Sequence, residues 1–144
     1  MDNLKDKHPM FLINITSKTF KDVMRKKQEA IGIPDGYRMI LMILSRLDGA
    51  PQQDLAKRCC LSKPTVSLTL SNMEASGLIR RVVNEKDKRI INVYLTDSGR
   101  EMNNNIIKLI KETEEEFLKD FSDKEKEELK NLLERILANA GFGF

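Results

Sequence analysis

The sequence predicts a mainly α-helical chain with one small β-hairpin. Over most of its length, apolar residues recur at three- and four-residue spacing in stretches bounded by capping or breaking residues. Between residues 78 and 95 the pattern changes to two short strand-like runs on either side of a polar turn, the second of them alternating apolar with polar residues. With 144 residues, 40% of them hydrophobic and 33% charged, the chain can bury one or two small cores.

The first helix is predicted over Met10 to Ala30, with Phe11, Leu12, Ile15, Phe20, Val23 and Met24 as its apolar positions and Gly32 and Pro34 ending it. A second is expected to start near Asp35, where Tyr37, Ile40, Leu41, Leu44 and Leu47 mark one face before Asp48-Gly49. Met39, Met42 and Ile43 make that helix apolar almost all round, which gives it a central position. Pro51 opens a short helix from Gln52 to Cys59, at a position where a missing N–H costs no bond. Cys60 and Leu61 turn the chain, Ser62 offers a capping hydroxyl, and a further helix runs to Ser76 before Gly77.

Two helices joined by a few residues are a helix-turn-helix candidate. Leu78–Val83 and Ile90–Leu95 follow as two strands around the turn 84–89, with Ile91, Val93 and Leu95 alternating with Asn92 and Tyr94. A helix-turn-helix followed at once by a charged hairpin is a winged helix-turn-helix. Thr96 caps a long helix whose stripe is Met102, Ile106, Leu109, Ile110, Thr113, Phe117 and Phe121. Ser122 and Glu125 form a capping box for a last helix bearing Leu129, Leu132, Leu133, Ile136 and Leu137.

The division expected is therefore an N-terminal dimerisation helix over 1–34, a winged helix-turn-helix over 35–96 and C-terminal dimerisation helices over 97–144. The terminal helices carry apolar stripes outside the winged-helix core, and a second copy of the chain is the simplest partner for them. The tail from Gly141 to Phe144 adds two aromatics that a monomer would expose.

Composition excludes several classes of function. One histidine, His8, and two cysteines, Cys59 and Cys60, are too few for most metal or triad chemistry, so neither an enzyme nor a metal or other cofactor is expected. No apolar run reaches the roughly 18 residues that a membrane span needs, and Met1 to Lys7 lead into no signal-peptide pattern. A cytoplasmic chain with reduced thiols is expected. The net charge of +3 is unevenly spread: residues 51–95 carry eight Lys or Arg against four Asp or Glu, and residues 96–144 carry eight against twelve. A basic middle segment facing a polyanion and a solvated charged face are equal readings of charge alone.

The order of elements and the stretch from Asn84 to Gly99 resemble the MarR family of bacterial transcriptional regulators. The most specific part is Asp87-Lys-Arg89, an alternating strand, and Leu95-Thr96-Asp97-Ser98-Gly99; Gln53-Asp-Leu-Ala56 and Gly77-Leu-Ile79 resemble the family's helix-turn-helix landmarks. The resemblance implies an obligate homodimer on a pseudo-palindromic operator in double-stranded DNA, commonly a repressor released by a small phenolic or lipophilic effector.

On a helical wheel of residues 62–76, Val66, Leu70 and Met73 face the core, while Pro64, Leu68, Ser71 and Ala75 form the opposite arc, flanked by Thr65 and Ser67. Small hydroxyls there suit phosphates or base edges, and Ser62 and Lys63 stand at the helix start, where the lysine can neutralise a phosphate. Leu68 departs from the family, which frequently has arginine at that place. In the wing, Arg89 at a hairpin tip fits a narrow minor groove, Asp87 orients it as the family's Asp-x-Arg arrangement implies, and Lys86 and Lys88 supply phosphate contacts. Of Arg80 and Arg81 at the wing's base, at least one is expected simply to face solvent. By analogy with the family, an effector would lie near His8, Phe11, Asn14, Tyr37, Arg38 and Met42, although core packing explains the methionine and aromatic residues as well.

Two other functions compete. Cys59 and Cys60 could form a redox switch, with Lys57 and Arg58 close enough to lower a thiol pKa, but buried structural cysteines are the stronger expectation. An interaction module that does not touch DNA would explain the acidic C-terminal helices and leave the basic wing unexplained.

Overall fold

A computed structural model describes residues 8–142, so Phe144 of the aromatic tail lies outside the described residues. The chain divides into two compact units, one ending at Ile110 and the other starting at Lys111.

In the first unit, α1 (Pro9–Ala30) is followed by α2 (Tyr37–Arg46), β1 (Ala50–Pro51), α3 (Gln52–Cys59), α4 (Lys63–Ala75), β2 (Ile79–Val83) and β3 (Ile91–Leu95). The helix α5 (Asp97–Phe117) begins in this unit. This is a winged helix-turn-helix. Its core gathers Ile40, Leu41 and Leu44 of α2, Leu55 of α3, Val66, Leu70 and Met73 of α4, Val93 and Leu95 of β3, and Ile106 of α5. Each fully buried leucine contributes about 2 kcal/mol of burial, so this cluster decides how the helix-turn-helix is held.

Local chemistry sets the boundaries. α2 starts at Tyr37 rather than near Asp35, because Pro34 and Asp35 are used in a turn in which the Tyr37 N–H donates to the Pro34 carbonyl. Between α3 and α4, Cys60 takes a left-handed conformation with φ of 53°. The Ser62 hydroxyl then accepts from the Thr65 N–H at 3.2 Å, capping α4. Gly77, at φ of 73°, ends the run after α4.

The sheet has three strands, in the order β1-β3-β2, and not the two of a simple hairpin. Ala50 lies opposite Val93 and Pro51 opposite Asn92, while β2 and β3 pair from Ile79–Leu95 to Val83–Ile91. A proline is tolerated in β1 because the strand is at the sheet edge. Two residues, one of them proline, leave no alternation to read.

In the second unit, α5 ends at Phe117, and Phe121 is not part of its stripe. The chain turns at 118–121, where the Phe121 N–H donates to the Leu118 carbonyl and Asp120 adopts φ of 65°. α6 (Asp123–Asn139) opens with a complete capping box, the Ser122 hydroxyl accepting from the Glu125 N–H and the Glu125 carboxylate accepting from the Ser122 N–H at 2.7 Å. No residue of α6 is buried, and Leu132, Leu133 and Leu137 are exposed. Among the described residues no helix is long and apolar enough to cross a membrane, and no cluster of three or more His, Cys, Asp or Glu could hold a metal ion.

Candidate nucleic-acid interface

α4 and the wing present the predicted contact residues on the first unit. Val66, Leu70 and Met73 are fully buried, which leaves Leu68 on the outer face with 65% of its surface exposed. Lys63, Pro64 and Thr65 are exposed beside it, and Ser67 and Ser71 are half-buried. Their hydroxyls are partly engaged. Thr65 shares a 2.7 Å bond with the Ser62 hydroxyl, and the Ser71 hydroxyl donates to the Ser67 carbonyl and accepts from Arg81 Nη2.

Of the two arginines expected at the wing's base, Arg80 faces solvent and Arg81 has a partner that sequence reasoning missed. Arg81 spans from β2 to α4, where its backbone N–H, Nε and Nη2 all donate to the Glu74 carboxylate, the shortest contact being 2.8 Å. The side-chain and backbone bonds from Arg81 hold the Glu74 carboxyl below its ordinary pKa despite some desolvation. Glu74 lies at the end of α4 and Arg81 on β2, so no single-element periodicity joins them and only the fold reveals the pair. Arg80 is exposed, with its guanidinium 5.0 Å from the centre of the Tyr94 ring.

At the wing tip, Arg89 Nε donates to Asp87 Oδ1 and Nη2 to Oδ2, both at 3.0 Å, and the Arg89 N–H adds a third bond to Oδ1. The guanidinium is nevertheless 90% exposed. These bonds pull the Asp87 pKa down and push that of Arg89 up, so the pair stays ionised. Lys86 and Lys88 are exposed on either side of Asp87. An exposed, permanently charged planar cation with a fixed direction can enter a groove of negative potential.

The effector candidates are less convergent. His8, Phe11 and Asn14 are exposed at the start of α1, and Tyr37 belongs to the core cluster. Arg38 is half-buried. Met42 lines a shallow cavity of 230 Å³ with Met39, Ile43, Arg46, Leu47 and Arg58. The expectation of two buried cysteines fails for Cys60, which is exposed because the left-handed turn carries it off the end of α3; Cys59 is half-buried against the core. Burial raises the Cys59 pKa, with a smaller contribution from Cys60, and this reduces its thiolate fraction.

Residues 38–91 match the profile of the MarR family. The chain belongs to that family. Over 95 residues it is 32% identical to the HTH-type transcriptional regulator PecS of Dickeya dadantii, an alignment covering 63% of the chain and 57% of that protein. It is 29% identical over 99 residues to the homoprotocatechuate degradative operon repressor of Escherichia coli, covering 69% of the chain and 67% of the repressor. Among solved structures, a MarR transcriptional regulator from Methanosarcina mazei Go1 superposes with a TM-score of 0.80 at 29% identity, covering 90% of this chain and 93% of that one. These MarR relatives are named as regulators of transcription and not as enzymes.

Proposed function

We propose that this MarR-family chain is a homodimeric, DNA-binding transcriptional repressor of a pseudo-palindromic operator. The observation that carries the reading is the exposed Arg89 guanidinium held in a two-point contact by Asp87 at the tip of a wing next to α4. In this reading α4 enters the major groove with Leu68 and the small residues around it, Arg89 enters the flanking minor groove, and Lys63, Lys86 and Lys88 meet phosphates.

Dimerisation is supported by α6, where Leu132, Leu133 and Leu137 stay exposed along a helix with no buried residue. A second copy would cover them, and the division into terminal dimerisation helices over 1–34 and 97–144 around a DNA-binding segment over 35–96 follows from that role. The name of the E. coli relative supports repression. A small lipophilic or phenolic effector is the proposed release signal; the cavity beside Met42 offers it an apolar, polarisable lining with two arginines at its edge.

Footprinting on the DNA upstream of the chain's own gene, combined with light scattering, tests this reading. Two protected half-sites about 10 base pairs apart are expected, bound by a dimer. A folded monomer at micromolar concentration, or protection of one half-site alone, overturns it.

A further inference from the structure

The direction of Arg89 is not set by Asp87 alone, because Asp87 sits on a turn that is itself held from inside the sheet. Asn84, just after β2, accepts from the Lys86 N–H at 2.9 Å and the Asp87 N–H at 3.0 Å through one oxygen, Oδ1. Its Nδ2 donates to Asn92 Oδ1 at 2.9 Å. Asn92 in turn donates from Nδ2 to the Gly49 carbonyl at 2.8 Å. The orientation of both amides follows from this chain. Two N–H donors face one end of Asn84, so that end is oxygen, its other end is nitrogen, and Asn92 must present oxygen to Asn84 and nitrogen to the Gly49 carbonyl.

Gly49 is fixed in its turn. Its N–H donates to the Val93 carbonyl at 2.9 Å, and the preceding Asp48 accepts from the Leu95 N–H at 2.9 Å and from Arg100 Nη2 of α5 at 2.8 Å. Gly49 has φ of 83°, and a side chain there would run into the Tyr94 ring at 2.8 Å. An unbroken series of hydrogen bonds therefore runs from the 48–49 turn, through Asn92 and Asn84, to Asp87 and the guanidinium.

We propose that Asn92 and Asn84 are positioning residues for DNA recognition, fixing the direction in which the wing presents Arg89. Neither needs to touch DNA. The inference rests on the reading of the wing as a minor-groove element. Removing either amide leaves Asp87 and Arg89 paired but lets the turn that carries them rotate, so the guanidinium no longer points into the groove. Discrimination between sites falls, while general attraction to DNA persists.

The experiment titrates the full-length protein against a duplex that it has itself selected from a randomised library, and against a scrambled duplex. Asn92→Ala is expected to weaken binding to the selected duplex about fivefold to tenfold, with scrambled binding unchanged within about twofold. The same substitution made in an Arg89→Ala background should add almost nothing, since the direction of an absent guanidinium cannot matter. A purely structural role predicts the opposite, a similar further loss in that background, and such a result overturns the proposal. Asn84→Asp keeps the acceptor for Lys86 and Asp87 but loses the donor to Asn92; it should show a smaller loss of the same kind and serves as the test if Asn92→Ala fails to fold. Unchanged discrimination in Arg89→Ala itself would overturn the wing reading, whereas its loss there with discrimination intact in both asparagine variants would overturn the positioning role alone.

Discussion

Gly99 lies so close to the carbonyl of Leu78 that a Cβ would collide with that oxygen and crowd a methyl of Leu95. The approach is made where the sheet leads into α5. Thr96 donates its backbone N–H to the Leu78 carbonyl and its hydroxyl to the Gly77 carbonyl, and the Gly99 N–H donates to the Thr96 hydroxyl oxygen at 3.1 Å. Gly99→Ala is therefore expected to destabilise the fold by about 1–3 kcal/mol, because the obstructing atom is backbone and cannot rotate away. Urea denaturation measures it, and a change near zero would mean that α5 can shift at its start without cost.

Arg89→Ala should weaken operator binding by about tenfold or more, and Asp87→Ala should cause part of the same loss. The remaining cation in Asp87→Ala can still enter a groove, but without a fixed direction. Wild-type affinity in both variants, with dimers intact, would show that the wing does not read DNA.

Leu68→Arg should raise affinity for random DNA by adding a phosphate contact, while lowering preference for the natural site. A leucine contributes only apolar contact with thymine methyls or sugar carbons, so wild-type half-sites should be rich in A·T pairs at that place. Parallel titrations on operator and scrambled duplexes check both expectations.

Cys60→Gly is expected to stabilise the chain by about 0.5–1 kcal/mol, since the left-handed conformation at φ of 53° strains any residue with a Cβ and suits glycine. Thermal melting reads the gain. Cys59→Ser and Cys60→Ser should leave DNA binding intact in reducing and mildly oxidising buffer, and a peroxide-dependent loss of binding abolished by either substitution would point to a thiol switch.

Stability should fall in acid. Burial pushes the Asp48 pKa up, but the Leu95 N–H, Arg100 and Arg80 together bring it below its ordinary 3.8, and Arg81 holds Glu74 below its ordinary 4.5. Carboxylates with lowered native pKa values give stability that is fully present above about pH 4.5 and is lost as the pH drops through their native values. Unfolding midpoints measured between pH 7 and pH 3 should follow that course, and Glu74→Gln should reduce the acid sensitivity while costing under about 1 kcal/mol at neutral pH.

The sequence showed the helices because their apolar faces and caps are local. Val66, Leu70 and Met73 point inward as the wheel predicts, and Ser122 and Glu125 form their box. What it hid was set by tertiary contact. β1 is a strand only because β3 lies beside it, and Phe121 leaves the α5 stripe because the chain turns first. The same holds at the interface. Asp87 and Arg89 are two residues apart and legible together, whereas Arg81 with Glu74, and Asn84 with Asn92, meet only through the register of β2 with α4 and β3.

The pairing of Arg81 with Glu74 also limits how many small ions a complex with DNA can displace. Composition suggests a strongly cationic middle segment, yet Arg81 already ends on a carboxylate and Arg89 shares its charge with Asp87. The lysines left on α4 and the wing are Lys63, Lys86 and Lys88. If each neutralises one phosphate per protomer, the logarithm of a dimer's binding constant should fall with the logarithm of salt concentration at a slope of only about −5. A regulator with that slope still loses affinity about thirtyfold each time the salt concentration doubles, so its occupancy should follow the ionic composition of the cell.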